Sequence, residues 1–185
     1  SYPLINCEKG MARIKYSADM DNGDIISICG GQVINAVPAE CCAVLSGKHK
    51  NDICSYVKKS KNDCAYDIEP CGDNIKVICK GESAHASTPE KGRNSIIAML
   101  EMLVSLKLGD NTNRLLSDIL RLYPYGETDG SSLGVACEDE SGALTCVLSL
   151  INAKDGKLTF STDTRFPISM TAVQLKEKAS SALSG

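Results

Sequence analysis

Tryptophan is absent from this chain, and phenylalanine and histidine occur only twice each. The core of a 185-residue chain must then be built from Ile, Leu, Val, Ala, Met and Cys. No apolar run approaches the ~20 residues that span a bilayer, and no signal peptide is visible, so a cytoplasmic protein without a membrane partner is expected. No charge sign dominates: 20 basic residues face 23 acidic ones, for a net charge of −3. "KKSK" at 58–61 is the one basic cluster, and a solvated helix end accounts for it. Nucleic acid, which requires concentrated Lys and Arg, is excluded as a partner.

Chemistry is missing as well. There is no HExxH, no GxSxG, no Walker loop and no GxGxxG leading into a helix. The ten cysteines form no CxxC pair and no zinc-finger spacing with histidine. They lie within apolar runs such as "IISICGG", "ECCAVLSG", "NIKVICK" and "LTCVLSL", as small core residues of a reducing compartment would. The chain therefore has groups that bind but no reaction centre, and no metal ligands are assigned in it.

With 43% hydrophobic and 23% charged residues the composition is that of a folded domain. Alternating patterns predict strands over 11–18, 25–31 and 40–47, with "QVINAVP" continuing the second in extended form to Pro38. Hairpins are expected around Gly72-Asp73-Asn74 and Lys154-Asp155-Gly156. Helical spacing predicts helices over 51–59 with Asn51 as N-cap, 91–106 with Pro89 near its first turn, 113–123, and after Thr171. A strand–turn–strand–helix order occurs twice, which predicts an α+β fold. It is expected as two small ferredoxin-like lobes, 11–80 and 81–185, each an antiparallel sheet with helices on one face.

Three residues stand out as binding groups. His85 lies in "GESAHASTPEKGRN", where a strand hands over to a helix, and only small residues surround it. A neutral imidazole there could donate a hydrogen bond to a developing oxyanion; a surface or capping histidine is the plainer alternative. Asn35, in "GGQVINAVP", is an amide in an apolar stretch and needs partners if buried. Arg165 ends "KLTFSTDTR", where a guanidinium suits a bidentate grip on a carboxylate, although Asp163 two residues away offers it a simple pair. His49, among charged and turn-forming neighbours in "GKHKND", is expected at the surface.

Taken in order, these segments resemble a known family. "GESAHASTPEKGRNSI" is similar to a motif in the lid, or dimerisation, domain of dinuclear zinc exopeptidases, which include carboxypeptidase G, carnosinase and acyl-amino-acid deacylases. "GGQVINAVP" upstream and "ACEDESGALTCVLSL" downstream resemble the bacterial dipeptidase V type. "LTFSTDTRFPIS" looks like the strand bearing that family's substrate-binding arginine, and "SYPLINCEKG" like the exit from its catalytic domain. The resemblance covers essentially residues 1–185 and implies a lid excised from a longer metallopeptidase. It also implies two zinc ions, or manganese or cobalt, in a catalytic domain of the same polypeptide that this chain lacks. The substrate would be a dipeptide or a small N-acyl amino acid. His85 would stabilise the tetrahedral intermediate, and Asn35 and Arg165 would hold the terminal carboxylate or the adjacent carbonyl. The isolated chain is then expected to be inactive. A free-standing α+β ligand-binding or dimerisation module, or the lid of a deacylase with another amide substrate, stays open as an alternative.

Overall fold

A computed structural model of the chain describes residues 8–21 and 23–184. The opening segment "SYPLINC", read above as a domain exit, lies outside the described residues. The strands are β1 (Gly10–Asp19), β2 (Ile25–Gly30), β3 (Glu40–Ser46), β4 (Ala65–Cys71), β5 (Asn74–Lys80), β6 (Glu138–Asp139), β7 (Gly142–Ala143), β8 (Thr145–Lys154) and β9 (Lys157–Phe166). The helices are α1 (Lys50–Lys59), α2 (Ser95–Ser105), α3 (Asp110–Leu122) and α4 (Ala172–Ser184).

Seven strands form one antiparallel sheet in the order β1-β9-β8-β2-β3-β5-β4, and β6 pairs with β7 separately. The fold is α+β, as the patterning predicts. Strands from the intervals 11–80 and 81–185 share that single sheet, because β2 pairs with β3 on one side and β8 on the other. β1 leaves its sequence neighbours altogether and pairs with β9 over its whole length.

Both expected hairpins form, and turn chemistry explains them. Asp155 and Gly156 take positive φ (53° and 77°) between Lys154 and Lys157, the backbone that a two-residue turn between twisted strands demands. Gly72, at φ 60°, does the same before Asn74, which is the first residue of β5.

Alternation along the strands sends Ile28, Ala43, Leu45, Val77, Leu158 and Phe160 to one face, where they are buried. That face packs against α2, whose Ile96, Ile97, Ala98, Met99, Leu100, Met102 and Leu103 are buried in turn. Such all-round burial follows from α1 and α3 packing on the other sides of α2. The scarce aromatics gather where β1, β9 and α3 meet: Tyr16 stacks on Phe160 at 4.4 Å, and Tyr123 meets the same ring edge-on at 6.0 Å. The opposite face of the sheet is largely open, with Met11 and Cys29 exposed on it.

Helix starts differ from expectation in instructive ways. α2 begins at Ser95 rather than residue 91, because Asn94 caps it: its Oδ1 accepts from the backbone N–H groups of Ile96 (3.0 Å) and Ile97 (3.2 Å). Pro89 instead opens a separate 3-10 turn, Pro89–Lys91. α1 starts at Lys50 without a side-chain cap, since a 3-10 turn at Gly47–His49 has already begun the winding, and Asn51 lies inside the helix. Thr171 does cap α4, in a reciprocal box: Thr171 Oγ1 accepts from Gln174 N–H, and Gln174 Oε1 accepts from Thr171 N–H.

His49 is half-buried and paired rather than freely exposed. Its side chain is 13% exposed and its Nε2 lies 2.8 Å from Asp24 Oδ2, while Lys48 holds the other carboxylate oxygen at 2.7 Å. Hydrogen bonds from Lys48 and then His49 keep the Asp24 carboxyl below its usual value.

Asn94 also reaches the sheet, donating from Nδ2 to the Leu148 carbonyl at 2.8 Å. Asn94→Ala loses both the cap and this bond, and should cost about 1–3 kcal/mol. Asn94→Asp keeps the cap acceptor and loses only the donor, so urea unfolding should rank wild type above Asp above Ala. Equal stability of the two variants would show that the cap contributes nothing.

Candidate functional site

The segment 82–93 is a loop closed at its base. Glu82 and Arg93 exchange backbone hydrogen bonds (3.0 and 2.9 Å), and their side chains pair at 2.8 Å. The closure brings Gly92 against Val37, whose Cβ lies 2.9 Å from where any side chain on residue 92 would begin. A glycine is needed there for the close approach.

A second loop lies against the first. The segment after β2 does not run on in extended form, as the sequence reading had it. Gly31, at φ 78°, redirects the chain, Ile34 and Asn35 form a turn, and only Ala36 resumes strand-like pairing, opposite His85. A side chain at Gly31 would strike the Ser149 carbonyl, so the redirection sits hard against β8. Val37 N–H donates to Ala84 O and Ala86 N–H to Asn35 O, at 2.8 and 2.9 Å. The two loops are thus stitched through their backbones on both sides of His85, and Val37, Ala86 and Val147 form a small apolar cluster beneath them.

His85 itself is exposed. Its Nδ1 receives the Ser87 backbone N–H at 3.2 Å and lies 2.7 Å from Ser87 Oγ. A backbone N–H can only donate, so Nδ1 must accept. In the neutral ring the proton then sits on Nε2. Among the described residues Nε2 has no partner. The side chain is a hydrogen-bond donor with a fixed tautomer and a free tip. Asn35, half-buried in the adjoining turn, contributes its backbone carbonyl to the stitching, while its side-chain amide makes no hydrogen bond within the described residues.

Arg165 adopts the pairing that Asp163 offered it. Its Nε lies 2.6 Å from Asp163 Oδ1 and its Nη2 3.3 Å from Oδ2. The pair is no ordinary surface contact, because the Asp163 side chain is fully buried (0% exposed) and Arg165 is 21% exposed. Arg13, opposite Asp163 in the β1–β9 register, adds its Nε to Oδ2 at 3.2 Å. Two guanidinium groups therefore share one carboxylate, leaving one positive charge in excess and several N–H groups pointing elsewhere. Thr145 lies opposite Arg165 across β8 and β9, and its hydroxyl donates to the Ala86 carbonyl at 2.8 Å. Through Thr145 the arginine strand is tied to the residue following His85.

His85, Asn35 and Arg165 are thus assembled by one hydrogen-bonded set of loops and strands. Sequence reasoning missed Arg13, Thr145 and Ser87. Ser87 could have been found from its spacing to the histidine. Arg13 could not, since nothing local shows that β1 lies beside β9. Among the described residues no group of three or more His, Cys, Asp or Glu side chains could hold a metal ion. A hollow of about 450 Å3, lined by residues including Arg93, Asn94, Tyr123, Glu127 and Leu148, is not lined by His85, Asn35 or Arg165.

The shared carboxylate makes a stability test. Arg13→Met or Arg165→Met leaves Asp163 one guanidinium, whereas the double variant leaves a buried charge with none. The double loss should exceed the sum of the single losses by about 0.5–3 kcal/mol in urea titrations. Strict additivity would mean that the two arginines do not share the carboxylate energetically.

With that geometry in hand, comparison with known proteins is informative. A family profile described as the peptidase dimerisation domain matches residues 73–184. The chain is 27% identical over 191 aligned residues to "Putative dipeptidase YtjP" of Bacillus subtilis (strain 168), covering 98% of this chain and 41% of that protein. It is 24% identical over 176 residues to the Beta-Ala-Xaa dipeptidase of Lactobacillus delbrueckii subsp. lactis, covering 90% of this chain and 37% of that one. The chain spans about two fifths of the length of these curated relatives. A profile match over more than half of the chain, together with relatives named as dipeptidases along nearly the whole of it, places this chain in the peptidase dimerisation domain family.

Proposed function

We propose that the chain is the substrate-gripping lid of a metal-dependent dipeptidase, closing over an active site supplied by a catalytic domain of the same polypeptide. The observation that carries this reading is the tautomer of His85: Ser87 engages Nδ1, so a free Nε2–H stands at the loop surface. A donor of that kind suits an oxygen that gains negative charge during attack on an amide. It needs fixed aim and no change of protonation. The dipeptidase names of the relatives support the substrate class, and their greater length supports a catalytic domain beyond this chain.

Arg165 would read the substrate's terminal carboxylate. Asp163 holds one edge of the guanidinium, which fixes its plane, and Arg13 supplies the surplus positive charge that makes an anion welcome. Asn35, with its amide free beside His85, would hold the terminal carboxylate or the adjacent carbonyl. A dipeptide and a small N-acyl amino acid both present that carboxylate. The metals would be held by the catalytic domain, since these residues offer no site for them.

The purified 185-residue chain should then hydrolyse no dipeptide, with or without zinc or manganese. Metal-dependent turnover by it would overturn the lid reading. In the longer enzyme, His85→Ala should lower kcat by about 10²–10³ with little change in KM or metal content. Normal kcat, or loss of metal, would remove His85 from this role.

Arg165→Lys keeps the charge but loses the fork. It should cost about 1.5–3 kcal/mol, or one to two decades in kcat/KM, on a dipeptide. On the same dipeptide with its carboxylate amidated, the loss should largely disappear. Equal losses on both substrates would show that Arg165 does not read the carboxylate.

A further inference from the structure

Cysteines stand opposite one another twice, across the two junctions that flank β3. Cys29 of β2 is the register partner of Cys42 of β3, and Cys41 of β3 is the partner of Cys79 of β5. Because successive side chains alternate between faces, the two pairs lie on opposite sides of the sheet. Cys41 and Cys79 point into the core and are 1% and 0% exposed. On the open face Cys29 is exposed and Cys42 half-buried, and all nine cysteines described are free thiols.

We propose that Cys29 and Cys42 form a reversible oxidation site, closing a cross-strand disulfide on the open face when a small-molecule disulfide reaches them. Directly opposed residues of antiparallel strands have Cα atoms about 4.5–5.5 Å apart, inside the roughly 4.4–6.8 Å that a disulfide bridges. The bond therefore needs no change of register. Access is provided too. A hollow of about 330 Å3, lined among others by Cys29, Gly31, Val33, Ala36, Glu40 and Cys42, opens beside the pair.

The roles of the two thiols differ. Cys29 is the exposed one and meets the oxidant first. Cys42 has Glu40 beside it, with Sγ 3.9 Å from Oε1, and burial together with that carboxylate pushes its thiol up. It suits the second step, where proximity replaces acidity. In the first step the Cys29 thiolate attacks one sulfur of the small disulfide, forming a mixed disulfide and expelling one thiolate. In the second, Cys42 gives up its proton and attacks the Cys29 sulfur, expelling the other. The protein loses two hydrogens, and the small disulfide is reduced to two thiols. The bridge would tie β3 to the end of β2 from which the Asn35 loop departs, so the site lies next to the groups discussed above without using any of them.

The test uses the folded chain with oxidised glutathione at neutral pH, read by intact mass and by peptide mapping after the remaining thiols are blocked. Wild type should yield one crosslink, Cys29–Cys42, with loss of two hydrogens there and no glutathione retained on either of these two residues. Cys41 and Cys79 should react only after denaturation. Cys42→Ser, a change on the open face, should stop at the first step and keep one glutathione on Cys29. Cys29→Ser should form no bridge. A wild-type protein that accumulates the mixed disulfide on Cys29, leaves Cys29 and Cys42 fully reduced, or bridges through Cys41 or Cys79 would overturn the proposal.

Discussion

A carboxylate with no exposed surface must be neutralised by its neighbours, and Asp163 is such a group on a sheet face that is otherwise largely open. Its neutralisation fixes a good deal around it. Arg165 is held in one plane by two contacts, and Arg13 reaches the same carboxylate from β1, the edge strand that pairs with β9. Thr145, opposite Arg165, then hands the same face on to the loop carrying His85. The candidate site is in this sense an outgrowth of one buried charge.

The His85 loop reaches the same place by different means. Few side chains in it are large. Its order comes from backbone pairing at the base, from the Asn35–Val37 segment beside it, and from Asn94, which caps α2 and grips β8 at once. An imidazole on such a loop does not need its own packing to hold direction. Ser87 sets the tautomer, and the stitched backbones set the position.

How much of this could be read from residues alone divides along local and non-local lines. Both hairpins were legible because Gly72, Asp155 and Gly156 carry their own backbone preference. The helix after the histidine was legible from spacing, although Pro89 pulled its expected start too early and the real cap was Asn94. The candidate residues His85, Asn35 and Arg165 were picked from type and context; the Asn35 turn is bonded by its backbone to the residue after His85, and that same residue accepts from Thr145, the register partner of Arg165. What escaped was everything set by pairing across long stretches of chain. The alternation of "MARIKYSA" announces a strand but not its partner, so Arg13 was invisible. His49 looked exposed because its partner Asp24 is 25 residues away in sequence. The turn at Asn35 was missed since the demand for it comes from Ser149 on β8, which blocks any residue but glycine at 31.

The strand order has a consequence for how the chain is made. β1 and β9 are adjacent in space, and Arg13 and Asp163 lie 150 residues apart in sequence. Contacts of such high separation form late and slowly, because the intervening chain must first be drawn together. During synthesis β1 therefore waits, unpaired, while β2 to β5 and α1 to α3 emerge. Its alternation leaves it half apolar and open to other strands throughout that interval. Lys15 and Arg13 along it are charges of the kind that discourage wrong pairing. The arginine that pairs with Asp163 thus also guards the strand that carries it until β9 arrives.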